Sequence, residues 1–316
     1  MRTVAALVAL FALLTAEAAV KKSSKPVVRA PSGGVRAAQI AAQPAQSAHR
    51  RSPYVGALSA NAATGEILFA DNADAEAYPA SVTKLMTALL VLEDIEAKKY
   101  SLDTRVTATD EVYKSEPSIV GLKTGQSMTV DDLLMALMVK SANDAAIALG
   151  VNSAGSLDAF VARMNVRAAE LGMANTHYYN PNGLPPKKKY GTKGFNVTTC
   201  RDQLKLARRI LTMPSILRYT STKIGEVTDG YGKQLKFVNH NNVLVKDKRK
   251  VINPDGSEAV DGLKTGYIDA GGSSVVLTGK RKGKRAIVIV LGSSTSNERD
   301  ENAARLLEDA LGAIVW

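Results

Sequence analysis

The sequence has one cysteine, Cys200, in 316 residues. No intramolecular disulfide can form and no cysteine-based metal site is available, so the fold must stand on its core. Histidine is nearly as scarce: His49, His177 and His240 are the only three, and their spacing fits no metal-ligand pattern. They give thin support to a Ser-His-Asp triad, so a nucleophile in this chain needs some other base. No segment reaches the roughly 18 apolar residues that a membrane-spanning helix requires. Acidic residues are missing from two stretches, 21–51 and 171–201, and there is no internal repeat.

What is present is ordinary for a globular protein: 45% hydrophobic and 22% charged residues, enough for a substantial core. The chain opens with Met1 and Arg2, an apolar run from Val4 to Leu14, and Ala16-Glu17-Ala18-Ala19. Those are the three parts of a secretory signal peptide, expected over 1–19, which makes the mature protein exported (periplasmic or extracellular) and soluble. Cleavage there removes one base and one acid, so the net charge of +11 survives export. Residues 20–52, rich in Ala, Gln, Ser, Pro, Gly and basic side chains, read as a basic disordered linker that offers at most a weak contact to an anionic surface. The folded domain is expected over 53–316.

That domain begins with two β-like runs, Tyr54–Ala60 and Glu66–Ala70, around a turn-forming Asn61-Ala62-Ala63-Thr64-Gly65. Helical spacing follows over Ser81–Ala97, Val130–Gly150, Leu157–Leu171 and Thr199–Leu211. Near the end, Ser273–Thr278 and Ala286–Leu291 flank a basic turn, and Glu298–Leu311 is a closing helix. Strands at both ends of a helical middle predict an α+β fold: one sheet assembled from both chain ends, a helical subdomain beside it, and a cleft between them.

In Pro79-Ala80-Ser81-Val82-Thr83-Lys84, the hydroxyl of Ser81 and the amine of Lys84 are three residues apart on one helical face. A lysine buried among Leu85, Met86, Leu89 and Leu90 loses its preference for the charged form and becomes a base. The backbone N–H at a helix start can help to hold the oxyanion formed when a carbonyl is attacked. Alone, Ser-x-x-Lys proves little, since about one match is expected by chance in a chain this long. Two further motifs change the odds. Ser141-Ala142-Asn143 supplies a hydroxyl that can relay a proton and an amide that can hold a substrate amide; Lys264-Thr265-Gly266 can bind a carboxylate and let substrate backbone approach at the glycine. Both motifs have second copies, Ser59-Ala60-Asn61 and Lys123-Thr124-Gly125. The first lies in the opening hairpin and the second in a polar turn, whereas Lys264-Thr265-Gly266 leads through Gly271-Gly272 into a strongly β-like run, so the later copies are assigned to the site.

Together these motifs resemble those of the low-molecular-mass penicillin-binding proteins of the D-alanyl-D-alanine carboxypeptidase family, within the serine DD-peptidase and β-lactamase superfamily. The likeness extends to Asn143-Asp144-Ala145-Ala146, Met164-Asn165, Leu171-Gly172-Met173, Asn180-Pro181-Asn182-Gly183-Leu184 and Asp261-Gly262-Leu263. It implies a DD-peptidase/β-lactamase-like fold and a serine DD-carboxypeptidase that takes the terminal D-alanine from peptidoglycan stem pentapeptides. Ser81 would attack, Lys84 accept its proton, Ser141 pass a proton to the leaving D-alanine, and Asn143 position the substrate. Lys264 and Thr265 would bind the terminal carboxylate beside Gly266, and the N–H groups of Ser81 and Tyr267 would form the oxyanion hole. No cofactor or metal enters this chemistry, and β-lactams are expected as covalent inhibitors. The alternative within the family is a DD-endopeptidase that cuts D-alanyl cross-links. A β-lactamase is disfavoured, because the acid-free stretch 171–201, with Lys187-Lys188-Lys189 inside it, covers the place where a water-activating carboxylate is expected. A non-catalytic basic wall-binding module is the reading from another class. The signal peptide argues against nucleic acid as a partner. His177 and Cys200 are expected to be structural.

Overall fold

A computed structural model describes residues 49–115, 117–187, 193–213 and 215–314. The expected signal peptide, the expected linker up to residue 48, and Lys188 and Lys189 lie outside those residues.

The first hairpin forms as its alternation predicts, from β1 (Gly56–Asn61) and β2 (Ile67–Asp71). Asn61 closes the turn by accepting the Ala63 N–H on its Oδ1 at 3.0 Å, and Gly65 takes the left-handed φ of +79°. A short 3₁₀ turn, Ala80–Thr83, then runs into α1 (Lys84–Glu96). α1 is apolar on nearly every side, as a helix enclosed by the core must be. A two-stranded ribbon of β3 (Arg105–Thr107) and β4 (Ser127–Thr129) leads to α2 (Val130–Met135).

The single helix expected over Val130–Gly150 is interrupted. A π-turn, Ala136–Lys140, widens the spiral, Ser141 takes a left-handed φ of +59°, and the chain restarts as α3 (Asn143–Ala154). The backbone groups released by the break are satisfied from outside: Ser118 Oγ donates to Lys140 O at 2.8 Å, and Ser118 O accepts the Asn143 N–H at 2.7 Å. Apolar periodicity continues across the interruption, which is why spacing alone reads one helix.

α4 (Leu157–Glu170) and α5 (Cys200–Ile210) keep their expected bounds because Ser156 and Thr199 cap them, each accepting a backbone N–H at 3.2 Å. α6 (Ile216–Thr220), the ribbon β5 (Ile224–Thr228) with β6 (Gln234–Val238), and α7 (Asn242–Val245) complete the middle of the chain. β7 (Val260–Ile268), β8 (Gly272–Arg281) and β9 (Lys284–Ser293) then form a meander, and α8 (Ser296–Ile314) closes the fold.

The five-stranded antiparallel sheet runs β2-β1-β9-β8-β7, so both ends of the chain build it. β9 sits at its centre, buried on both faces, and its continuous apolar run sorts by the two-residue period of a strand. Ile287, Ile289 and Leu291 join the helical core of α1, α3 and α5, while Ala286, Val288 and Val290 pack under α8 with Leu306, Leu307, Ala310 and Leu311. β7 is left as an edge strand beside the 3₁₀ turn that carries Ser81.

The ordered fold starts before the expected boundary at residue 53. Arg51 donates its backbone N–H to Gly292 O at 2.9 Å and bridges Ser293 in parallel, and the His49 ring stacks on Tyr78 with centroids 3.8 Å apart. The composition of 20–52 is uniform to its end, so it carries no mark of where docking begins.

Candidate active site

Ser81 lies in the 3₁₀ turn ahead of α1, where Ala80, Val82 and Thr83 are buried and Ser81 is partly open. The turn is held in an unusual shape, since Ala80 is a non-glycine residue at φ +49°. Such strain persists only where the surroundings over-determine it. Two glycines show how closely they approach: a Cβ on Gly183 would lie 1.9 Å from Ala80 O, and one on Gly266 would lie 2.5 Å from Pro79 O and 3.0 Å from Ser81 N. The glycine of Lys264-Thr265-Gly266 is thus needed for β7 to reach the serine turn.

Lys84, in the first turn of α1, is fully buried. Its Nζ lies 2.9 Å from Ser81 Oγ, 2.7 Å from Asn143 Oδ1 and 2.8 Å from Asn182 O. The amide oxygen and the carbonyl can only accept, so they take two N–H bonds. A neutral amine has two N–H bonds and one lone pair, and the remaining direction faces the serine hydroxyl. Burial drives the Lys84 ammonium well below its ordinary pKa, the nearby charge of Lys264 pushes the same way, and Asp144 opposes both. Burial favours an unprotonated lysine that accepts the serine O–H, and the three contacts accommodate that arrangement.

Ser141 and Asn143 owe their places to the break between α2 and α3. Asn143 reaches Lys84 directly, whereas Ser141 is buried beside it in the left-handed link. Asp144 locks this corner: its carboxylate accepts backbone N–H groups from Val120, Gly121, Leu122 and Ala145 at 2.9–3.1 Å. Burial raises its pKa against the pull of those four donors.

Lys264, on β7, is also buried, and its Nζ donates to Thr265 O at 2.9 Å. Burial, and then the charge of Arg299 at the start of α8, lower its pKa to about 7. Thr265 is buried next to it, while Tyr267 is exposed and donates its hydroxyl to Asp269 Oδ1 at 2.8 Å. Hydrogen bonds directly join Ser81, Lys84 and Asn143; Gly266 joins them by contact with the serine turn. The Ser141, Thr265 and Tyr267 side chains make no hydrogen bond to that trio among the described residues.

The second copies fall elsewhere. Ser59 and Ala60 are buried inside β1, and Lys123-Thr124-Gly125 is an exposed turn in which Thr124 bonds Asp110 at 2.8 Å. His177 pairs its backbone with Val197 and meets Tyr179 edge-on, and Cys200 is buried with its thiol pKa raised. No group of three metal-ligating side chains occurs among the described residues.

Reading from sequence gave no separate place to two contributors. Asn182 acts through a backbone carbonyl, which has no residue signature. Asp144 was visible only as part of a motif.

Residues 43–295 match the profile of a peptidase family described as D-alanyl-D-alanine carboxypeptidase. Among curated proteins, the chain is 30% identical over 247 residues to D-alanyl-D-alanine carboxypeptidase DacF of Bacillus subtilis, covering 78% of this chain and 59% of that one. It is 31% identical over 252 residues to DacA of Escherichia coli, covering 77% and 57%. The chain therefore spans less than three fifths of the length of either relative. Among solved structures, penicillin-binding protein D2 of Listeria monocytogenes in its ampicillin-bound form superposes with a TM-score of 0.67 at 31% identity, covering 82% of this chain and 97% of that one. The carboxypeptidase DacD of Francisella tularensis gives 0.70 at 27% identity, covering 82% and 70%.

Proposed function

The chain belongs to the D-alanyl-D-alanine carboxypeptidase family of peptidases, and from that premise we propose that it is an exported serine DD-carboxypeptidase that trims the terminal D-alanine from peptidoglycan stem pentapeptides. The observation that carries this reading is the buried Lys84 amine, 2.9 Å from Ser81 Oγ, with its other two contacts taken by obligate acceptors.

In this mechanism Ser81 Oγ attacks the carbonyl of the D-alanyl-D-alanine amide as its proton passes to Lys84. The Ser81 and Tyr267 N–H groups stabilise the oxyanion. Ser141 relays a proton to the leaving amine, Asn143 holds the substrate amide, and D-alanine departs. Water then cleaves the Ser81 ester. Lys264 and Thr265 bind the terminal carboxylate, and a bound anion restores the ammonium form that burial disfavours at Lys264. β-Lactams would enter as mimics of the same terminus and acylate Ser81.

The test is to incubate the protein with a stem pentapeptide and with a cross-linked dimer, and to measure intact mass after β-lactam exposure for wild type and Ser81→Ala. Release of D-alanine from the pentapeptide, with a β-lactam adduct that disappears in Ser81→Ala, is the expected result. Cleavage of the dimer alone would identify a DD-endopeptidase instead, and an adduct that persists in Ser81→Ala would place the nucleophile elsewhere.

A further inference from the structure

The four residues His49–Ser52 close the stretch whose composition reads as a linker, yet each is fastened to the catalytic domain. Arg51 is bonded to Gly292 through its backbone, and Ser52 donates its hydroxyl to Glu298 in α8. Arg50 Nη2 donates to Ser294 O at 2.8 Å, and Nη1 reaches Asp269 O at 3.5 Å. The His49 ring covers one face of Tyr78, whose other face lies parallel on Phe195 at 4.3 Å.

These anchors fall on two particular turns. Tyr78 is three residues before Ser81 and two before the strained Ala80, so the sandwich of His49, Tyr78 and Phe195 fixes the entry to the nucleophile turn. Asp269 belongs to the β7–β8 turn, where it holds the Tyr267 hydroxyl at 2.8 Å. The two turns also touch each other: a Cβ on Gly271 would lie 2.8 Å from Tyr78 Cβ, and one on Gly272 would lie 2.9 Å from Arg50 Cγ. Aromatic stacking adds specific contact beyond buried area, and a displacement of a reacting atom by about 1 Å can cost about 100-fold in rate.

We propose that His49 and Arg50 are positioning residues of the acylation site, which brace from outside the turn that carries Ser81 and the β7–β8 turn that follows Tyr267. The N-terminal strap is then a working part of the enzyme. It touches no substrate and acts through Tyr78 and Asp269. This inference rests on the acyl-enzyme reading above.

The experiment uses the full chain and a fluorescent penicillin, with progress curves resolved into pre-covalent affinity and the acylation rate constant. Rates are expressed per folded molecule. The variants are His49→Ala, Arg50→Ala, their combination, and His49→Phe, which retains a ring on Tyr78. The double variant should acylate about tenfold more slowly with affinity nearly unchanged, while His49→Phe stays near wild type. A double variant that acylates at the wild-type rate per folded molecule, or a loss that only tracks the folded fraction, overturns the proposal. Failure of the wild type itself to label would instead remove the acyl-enzyme reading, so the two failures are distinct.

Discussion

Beneath α8, Ala286, Val288 and Val290 meet Leu306, Leu307, Ala310 and Leu311, and all seven are buried among apolar neighbours. At the β7 edge of the same sheet, Lys84 and Lys264 are equally buried, and neither forms an ion pair with a carboxylate among the described residues. The first region satisfies every preference of its side chains. The second holds two amines out of water, a left-handed Ala80 and a left-handed Ser141. Buried unpaired amines cost stability in their charged form, and they recover it by giving up protons. The apolar layer supports that cost, and what it maintains is a basic amine within reach of a hydroxyl. The contrast leads to variants that separate stability from acylation.

The largest separation is expected at Lys84→Met. Acylation by penicillin should fall about 1,000-fold as the proposed general base is lost, while the thermal midpoint changes little, because removal of a buried amine is offset by leaving Asn143 Oδ1 and Asn182 O without a donor. A falling midpoint would break the comparison. Gly266→Ala comes next: its added methyl meets Pro79 O at 2.5 Å, so acylation should drop about 100-fold through misplacement of the serine turn. The midpoint should fall as well, because the atoms met belong to backbone and cannot turn aside.

The response to pH should be smaller and should set stability against activity. Lys264 titrates at about 7 when folded and near the ordinary lysine value when unfolded. Above about 7, therefore, the folded protein binds fewer protons than the unfolded chain, and stability rises with pH through that window. With Lys264 as the carboxylate anchor proposed above, its charge is lost over the same range, and kcat/KM for the pentapeptide should fall by about tenfold per pH unit above 7. A kcat/KM that stays flat to pH 9 would remove Lys264 as the anchor. Finally, Leu307→Ala should cost about 2–5 kcal/mol of stability in denaturant unfolding and leave the acylation rate per folded molecule unchanged.

These opposed demands also explain what was legible in the sequence. Elements away from the site follow the sequence: the β1–β2 hairpin, the β-like runs of β8 and β9, and the capped starts of α4 and α5 all stand close to where it puts them. The residues that the structure brings together were legible through their chemistry: Ser81, Lys84 and Asn143 meet through side chains and Gly266 through the room it leaves, whereas no hydrogen bond joins Ser141 or Thr265 to them among the described residues. The break at Ser141 was not legible, since the backbone groups it frees are satisfied by Ser118, more than twenty residues away. The two small ribbons were missed because β3 and β4 are three residues each and β5 and β6 keep one face exposed. The docking of His49–Ser52 depends on partners at Tyr78 and Gly292 that local composition does not encode.

The segment Asn180–Leu184 has a consequence for how the site could change. Its backbone is already committed: Pro181 O accepts from Thr87 at 2.7 Å, Asn182 O accepts from Lys84 at 2.8 Å, and Gly183 leaves no room for a side chain beside Ala80. A carboxylate introduced in this segment to direct water onto an ester at Ser81 would have to fit without displacing these contacts. A change that moves the backbone at Asn182 or Gly183 therefore disturbs the surroundings of the Lys84 amine and of the serine turn together.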